Sequence, residues 1–152
     1  MPDVIDTLYL ATDIYDDKRY ADAAVKAADF LLLAQMPDPQ PAWAQQYSYD
    51  MHPIWARRFE PPAITGGESQ GAIRALFTTY RHTGNRKYLQ AANRALAYLK
   101  RCELPDGKLA RFYELRTNRP LYFTRNYRLT YDDANVPTHY AFKITSQADR
   151  LR

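Results

Sequence analysis

Cysteine is nearly absent: Cys102 stands alone, so an internal disulfide is impossible and the redox compartment stays open. Long apolar runs are missing too. None approaches the roughly 18–20 residues needed to span a bilayer, so no membrane span is read. No charged-then-apolar leader opens the chain, so no signal peptide is visible. The three histidines, His52, His82 and His139, show no metal-ligand spacing, and no HExxH is present. There is no GxSxG and no phosphate-cradling glycine loop. These absences remove the common metallo- and serine-hydrolase readings and the nucleotide-binding ones.

What remains is a globular chain of 152 residues with 46% hydrophobic content. That length suffices for one domain burying roughly 68–70% of its unfolded-chain surface. The net charge of +4 favours an anionic partner only weakly. The basic residues themselves say more. Arginines gather at Arg57–Arg58 and from Arg111 to Arg128, among tyrosines and phenylalanines. A guanidinium fork matches a carboxylate or phosphate bidentately, which lysine cannot do.

Apolar residues at steps of three and four predict four helices. The first runs from Asp3 to Tyr15, with Val4, Ile5, Leu8 and Ala11 on its stripe and Tyr15 closing it. The second runs from Lys18 to Gln35, with Tyr20, Ala23, Ala24, Ala27, Phe30, Leu31 and Ala34 inward. Asp16–Asp17 between them reads as a turn and N-cap. The third runs from Glu68 to Arg81 and the fourth from Arg86 to Arg101, separated by a glycine stop at Gly84. Beyond Leu109 the period changes, which suggests short strands or ordered loops up to Tyr131. Asp132 to Arg152 has little periodicity, and its last residues are expected to fray. Asp132–Asp133 reads as a polar turn, or as a metal or sugar contact.

The chain repeats itself. Lys18-Arg-Tyr-Ala-Asp-Ala-Ala aligns with Arg86-Lys-Tyr-Leu-Gln-Ala-Ala, and Met36-Pro-Asp with Leu104-Pro-Asp. Each copy is a helical hairpin followed by a long loop. Such hairpins stack or close into rings, because one cannot bury its apolar face alone. The expected fold is therefore mainly α: a partial α/α toroid of helical hairpins with long functional loops and a few short strands. A plain four-helix bundle is the alternative.

The first loop carries the densest chemistry. His52 to Ser69 packs Trp55, Arg57, Arg58, Phe59 and Glu60 before Pro61–Pro62 force an extended segment. Its aromatics argue against disorder, so it reads as an ordered cationic loop over a helical scaffold. Arg57 and Arg58 point apart, so one can meet a substrate while the other pairs with Glu60 or solvent. In the second loop Arg111 and Arg125 lie beside Phe112, Tyr113, Phe123 and Tyr127. Rings that pack on sugar faces and forks that hold carboxylates suit a polymer of acidic sugars. Arginine–glutamate pairs and cation–π contacts that merely hold loops together would look the same.

Trp43-Ala-Gln-Gln-Tyr, then Ala56-Arg57-Arg58-Phe59-Glu60 with Gly66-Gly67-Glu68-Ser69, then Arg111-Phe-Tyr-Glu-Leu-Arg-Thr-Asn-Arg119 running to Arg125, resemble the family 10 polysaccharide lyases, the pectic acid lyases. Order and gaps match along nearly the whole chain. The resemblance implies a pectate lyase, cleaving α-1,4-polygalacturonate by calcium-assisted β-elimination to 4,5-unsaturated oligogalacturonides. It places the Brønsted base on Arg57, from the Ala-Arg-x-x-Glu motif, and galacturonate carboxylate binding on Arg111 and Arg125. Polygalacturonate or pectin is then the partner, Ca²⁺ the cofactor, and a secreted or periplasmic setting that of the full-length family.

In that family the calcium aspartate lies in a Phe-Asn-Asp-Asn-like segment just before the helix that here begins near Asp3. Its position falls upstream of Met1. Residues 1–152 are thus expected to be one domain, the C-terminal portion of a pectate lyase catalytic domain whose N-terminal part is missing. No metal ligand is assigned within it, and its own lyase activity is expected to be impaired. A non-catalytic module that binds acidic polysaccharide with the same arginines is the alternative. Single-stranded nucleic-acid binding would need an RNP-like or OB-type strand pattern, which is not found. The chain is expected to act as a monomer.

Overall fold

The computed structural model describes residues 2–151. Helix α1 (Pro2–Tyr15) and α2 (Lys18–Ala34) form one hairpin, and α3 (Gly66–Thr83) and α4 (Arg86–Arg101) a second. The termini follow from the local residues. Asp17 accepts a hydrogen bond from the Arg19 amide at 2.9 Å and starts α2. Asn85 does the same for Lys87 at 3.1 Å and starts α4. Gly84 ends α3 in the left-handed region at φ 67°, where its N–H donates to the Tyr80 carbonyl at 2.7 Å. The four expected helices are thus present within two residues at each end, and Asp17 caps as expected.

The expected toroid is not what the chain forms. Between and after the helices it builds two antiparallel sheets, giving a mixed α/β fold. Strands β1 (Ala63–Thr65), β2 (Lys108–Ala110), β3 (Phe112–Glu114), β4 (Pro120–Phe123), β5 (Leu129–Thr130) and β6 (Lys143–Thr145) supply them. One sheet has the order β1-β3-β4-β5, the other pairs β2 with β6. The physical reason lies in the loops. Buried backbone needs hydrogen-bond partners. The loop segments find them in each other: Ile64 pairs with Tyr113 and Leu109 with Ile144. The two long loops are therefore sheet-forming segments rather than decorations on a helical ring.

Trp43 joins the layers. Its indole N–H donates to the Leu31 carbonyl at 2.8 Å, holding the end of α2. Its carbonyl accepts from the Thr65 amide at 2.9 Å, and its amide donates to Ser69 Oγ at 3.0 Å. One buried residue thus fixes α2, β1 and the first turn of α3. Gln40 makes the parallel link to the second loop, donating to the Glu114 carbonyl at 3.0 Å and accepting from the Arg116 amide at 2.7 Å.

The core runs from Ile5 and Tyr9 through Ile73, Leu76, Tyr88, Leu96 and Leu99 to Phe112, Tyr113 and Phe123. Two expectations about burial fail. On α1 and α2, Val4, Tyr15 and Phe30 are exposed, although their spacing put them on the apolar stripes. Ile5, Ala24, Leu31 and Ala34 are buried as expected, joined by Tyr9 and Ala28. The C-terminal stretch, expected to fray, is anchored: Ala148 and Leu151 are buried. Arg152 lies outside the described residues.

Gly66 sits where β1 turns into α3 against β2. A Cβ added there would lie 2.4 Å from the Ala110 carbonyl oxygen, a backbone atom that cannot swing away. Gly66→Ala is expected to destabilise the fold by about 1–3 kcal/mol, as overpacking does. Urea unfolding of the two proteins measures this, and an unchanged midpoint would refute the close packing.

Candidate functional site

The loop from Ala56 to Glu60 closes on itself. The Ala56 amide donates to the Glu60 carbonyl at 3.1 Å and the Glu60 amide to the Arg57 carbonyl at 2.9 Å. This turn drives the Glu60 carboxylate inward, where the residue is only 1% exposed. A buried carboxylate requires partners. Arg57 supplies three: its amide donates to Oε2 at 3.1 Å, Nε to Oε2 at 2.8 Å and Nη2 to Oε1 at 2.5 Å. The Tyr140 hydroxyl donates to Oε1 at 2.9 Å.

The consequences for charge are opposite on the two partners. Hydrogen bonds from Arg57, first among several, hold the Glu60 carboxyl down at about 2. The same pair raises the Arg57 guanidinium further above its usual value. Burial, followed by the hydrogen bond to Glu60, pushes the Tyr140 phenol up to about 12. The Arg57 side chain nonetheless stays largely in solvent, 72% exposed. Among the described residues its Nη1 makes no hydrogen bond to Glu60, so one edge of the fork faces outward.

Arg111 approaches from the second loop, between β2 and β3. Its guanidinium carbon lies 4.8 Å from the Tyr140 ring centroid. Nε donates to the Ala141 carbonyl at 2.6 Å, and Nη1 lies 3.9 Å from Glu68 Oε1 at the start of α3. Tyr140 therefore touches both groups: its hydroxyl holds Glu60, which holds Arg57, and its ring carries Arg111.

Arg58 meets a second ring, on the turn that carries Arg125. The Arg58 guanidinium carbon lies 4.2 Å from the Tyr127 ring centroid. Arg125 is exposed on the β4–β5 turn that also carries Tyr127, and no described carboxylate pairs with it. The turn is closed by the Tyr127 amide on the Thr124 carbonyl at 2.8 Å. Phe59 bridges the two rings, stacked on Tyr127 at 5.7 Å and edge-on to Tyr140 at 4.4 Å. The structure thus brings Arg57, Arg58, Arg111 and the Arg125 turn around one aromatic array, Tyr127–Phe59–Tyr140.

Sequence reasoning named all four arginines and weighed Glu60 as a partner. It missed Tyr140, which lies 80 residues from Glu60 in a stretch without periodicity. No local signal marks it. The remaining candidates resolve into structural roles. Asp133 pairs with Lys143, and Asp132 Oδ1 accepts from the Ala134 amide at 2.9 Å, so this pair shapes a polar turn. His82 stacks on Tyr9 at 3.9 Å between centroids.

Calcium, implied by the resemblance, calls for a cluster of oxygen ligands. Among the described residues no three carboxylate, imidazole or thiol side chains converge to hold a metal ion. Asp3 and Asp6 are turned to Arg74 instead, at 2.7 Å and 3.8 Å.

No protein-family model matches the sequence, and no curated protein does. Among solved structures the chain is similar to a point mutant of a family 10 polysaccharide lyase from Cellvibrio cellulosa in complex with trigalacturonic acid. The TM-score is 0.81 at 22% sequence identity, over 97% of this chain and 57% of that one. The likeness establishes a shared fold with that lyase. The chain spans 57% of the length of that structure. Among the described residues no helix is long and apolar enough to cross a membrane.

A carboxyl held at about 2 in the folded chain, against 4.5 ordinarily, stabilises the fold in a defined window. Its folded value lies below the unfolded one, so its contribution is full above 4.5 and fades as pH falls through about 2. The melting temperature of Glu60→Gln is expected below that of the parent at neutral pH, with the gap closing across this acid range. A gap independent of pH would show that Glu60 is not held ionised by Arg57.

Proposed function

We propose that the chain is part of a pectate-lyase-type machinery that binds polygalacturonate through its aromatic-framed arginines. The observation that carries this reading is the convergence of Arg57, Arg58 and Arg111 on the Tyr127–Phe59–Tyr140 array. It lies on a fold shared with a lyase crystallised with trigalacturonic acid. Uronate carboxylates need cationic forks, and pyranose faces need flat apolar surfaces. Both are present at one surface of one chain, so the reading needs no second copy. Arg111, set on its ring and only partly exposed, and the free Arg125 are the carboxylate-binding residues of this proposal. An extracellular or periplasmic setting, where pectin is met, accompanies it.

The finer reading is β-elimination. The C5 proton lies α to the uronate carboxylate, a base removes it, the bond to O4 breaks, and a 4,5-unsaturated end forms. Cations at the carboxylate stabilise the enolate-like charge that develops. Arg111 and Arg125 do this here, and Arg57 is the proposed base. The fork that Glu60 places on Nε and Nη2 leaves Nη1 to meet the substrate. That fork also favours the protonated guanidinium, so Arg57 needs further positive charge close by before it can shed a proton. Among the described residues no cluster of three acidic, imidazole or thiol side chains offers a calcium site for that purpose. A module that binds acidic polysaccharide without cleaving it remains the second reading, and the Glu60 fork is the observation that favours it.

Arg111→Ala is expected to weaken binding of trigalacturonic acid about 10-fold or more, since a hydrogen-bonded charge contributes ~1.5–3 kcal/mol. Arg125→Ala should act in the same direction. Arg57→Ala should abolish any formation of unsaturated product while leaving binding within a few-fold. Titration calorimetry and ultraviolet absorbance of the product separate these effects. Equal affinity before and after both carboxylate-site changes would refute the polysaccharide reading.

A further inference from the structure

We propose that Tyr140 is the positioning residue of the site: its hydroxyl orients Arg57 through Glu60 while its ring sets the place of Arg111. The inference rests on the polysaccharide-binding reading only for what the two arginines do, not for how they are held. Three observations carry it. The hydroxyl donates to Glu60 Oε1 at 2.9 Å, the same oxygen that accepts from Arg57 Nη2. The guanidinium of Arg111 lies 4.8 Å over the ring. The ring itself is wedged edge-on against Phe59 at 4.4 Å and lies 5.0 Å from Phe142 and 6.5 Å from Phe112, so it has little freedom to turn.

The geometry makes the two cations one unit. Arg57 comes from the first loop and Arg111 from the second, and they have no hydrogen bond to one another. A planar side chain with one polar end is the connector that suits both, because the aromatic face attracts a cation and the phenol donates to a carboxylate. Phenylalanine at this position would lose one half of that arrangement, and leucine both. The charged and polar groups around the connector are Arg57 and Gln45 facing Glu60, and Arg111, Glu60 and Glu68 facing Tyr140. His139 lies edge-on to Phe59 at 6.1 Å. Because Glu60 already receives the Arg57 fork, removing the phenol should loosen the guanidinium rather than release it. Removing the ring should displace Arg111 as well.

Tyr140 would then fix the place of the Arg57 edge relative to a carboxylate held by Arg111. The two arginines should act cooperatively on trigalacturonic acid while the ring is present.

The test uses the whole chain with Tyr140→Phe and Tyr140→Leu. In NMR, Tyr140→Phe is expected to move the Glu60 carboxyl titration upward and to speed exchange of the Arg57 Nε proton several-fold. In calorimetry with trigalacturonic acid, Tyr140→Phe should stay within about 2-fold of the parent, because Arg111 keeps its ring. Tyr140→Leu should weaken binding on the order of 10-fold. Single and double changes of Arg57 and Arg111 to Ala should be non-additive by about 3-fold or more in the parent and additive in Tyr140→Leu. Unchanged Glu60 and Arg57 signals in Tyr140→Phe would overturn the positioning role, as would additivity in the parent. If the parent does not bind trigalacturonic acid, the polysaccharide reading falls. The hold on Arg57 is then still decided by the NMR result. If Tyr140→Leu fails to fold, Tyr140→Phe, which keeps the ring, decides alone.

Discussion

A carboxylate taken out of water must be surrounded by donors or give up its charge, and that constraint shapes the site around Glu60. The turn from Ala56 to Glu60 points the carboxylate inward. Its donors then come from the two ends of the fold: Arg57 three residues before it, and Tyr140 eighty residues after it. Every other contact of the site is arranged around this point. Phe59 cannot swing away without dragging Glu60, so its ring is a fixed wall between Tyr127 and Tyr140. Arg111 lies on the ring whose hydroxyl is already committed. The exposed cations thus stand on a base whose own polar groups are satisfied, which is the condition for holding them in place.

The helices were legible because their signals are local. Apolar residues at steps of three and four, the Asp17 cap and the Gly84 stop mark all four within two residues. The change of period after Leu109 pointed to short strands, but the sheets they form were not legible, because the strands are two to four residues long and pair across the sequence. A three-residue strand such as Ala63–Thr65 is buried on every residue and shows no alternation. Lys143–Thr145 is read as strand only because it meets Lys108–Ala110. The repeat argument failed for a related reason. It treated the loops as free ends of helical hairpins, whereas their backbone groups satisfy one another and convert the hairpins into one layer of a mixed fold.

The site divides in the same way. Arg57, Arg58, Arg111 and Arg125 could be named because arginine among aromatics is a compositional signal. Tyr140 could not, since one tyrosine among thirteen carries no mark until the fold sets it beside Glu60. The Asp132–Asp133 pair, read as a polar turn or a contact, resolves to the turn: Asp132 closes it and Asp133 pairs with Lys143.

Placing a base on Arg57 and a buried carboxylate at its elbow creates a tension that the geometry makes specific. Removing a proton from a guanidinium requires that positive charge nearby outweigh negative. Glu60 adds negative charge at hydrogen-bond distance, and Arg57 responds by holding its proton more tightly. Arg111 stands on the far side of Tyr140, with its own charge partly countered by Glu68. Within the described residues the balance therefore favours a cation that binds. Proton abstraction demands a further positive centre on the open Nη1 edge. A substrate carboxylate arriving there would strengthen the cation rather than weaken it. The base reading thus depends on positive charge these residues do not supply, whereas the binding reading depends on nothing beyond the forks and rings already in place.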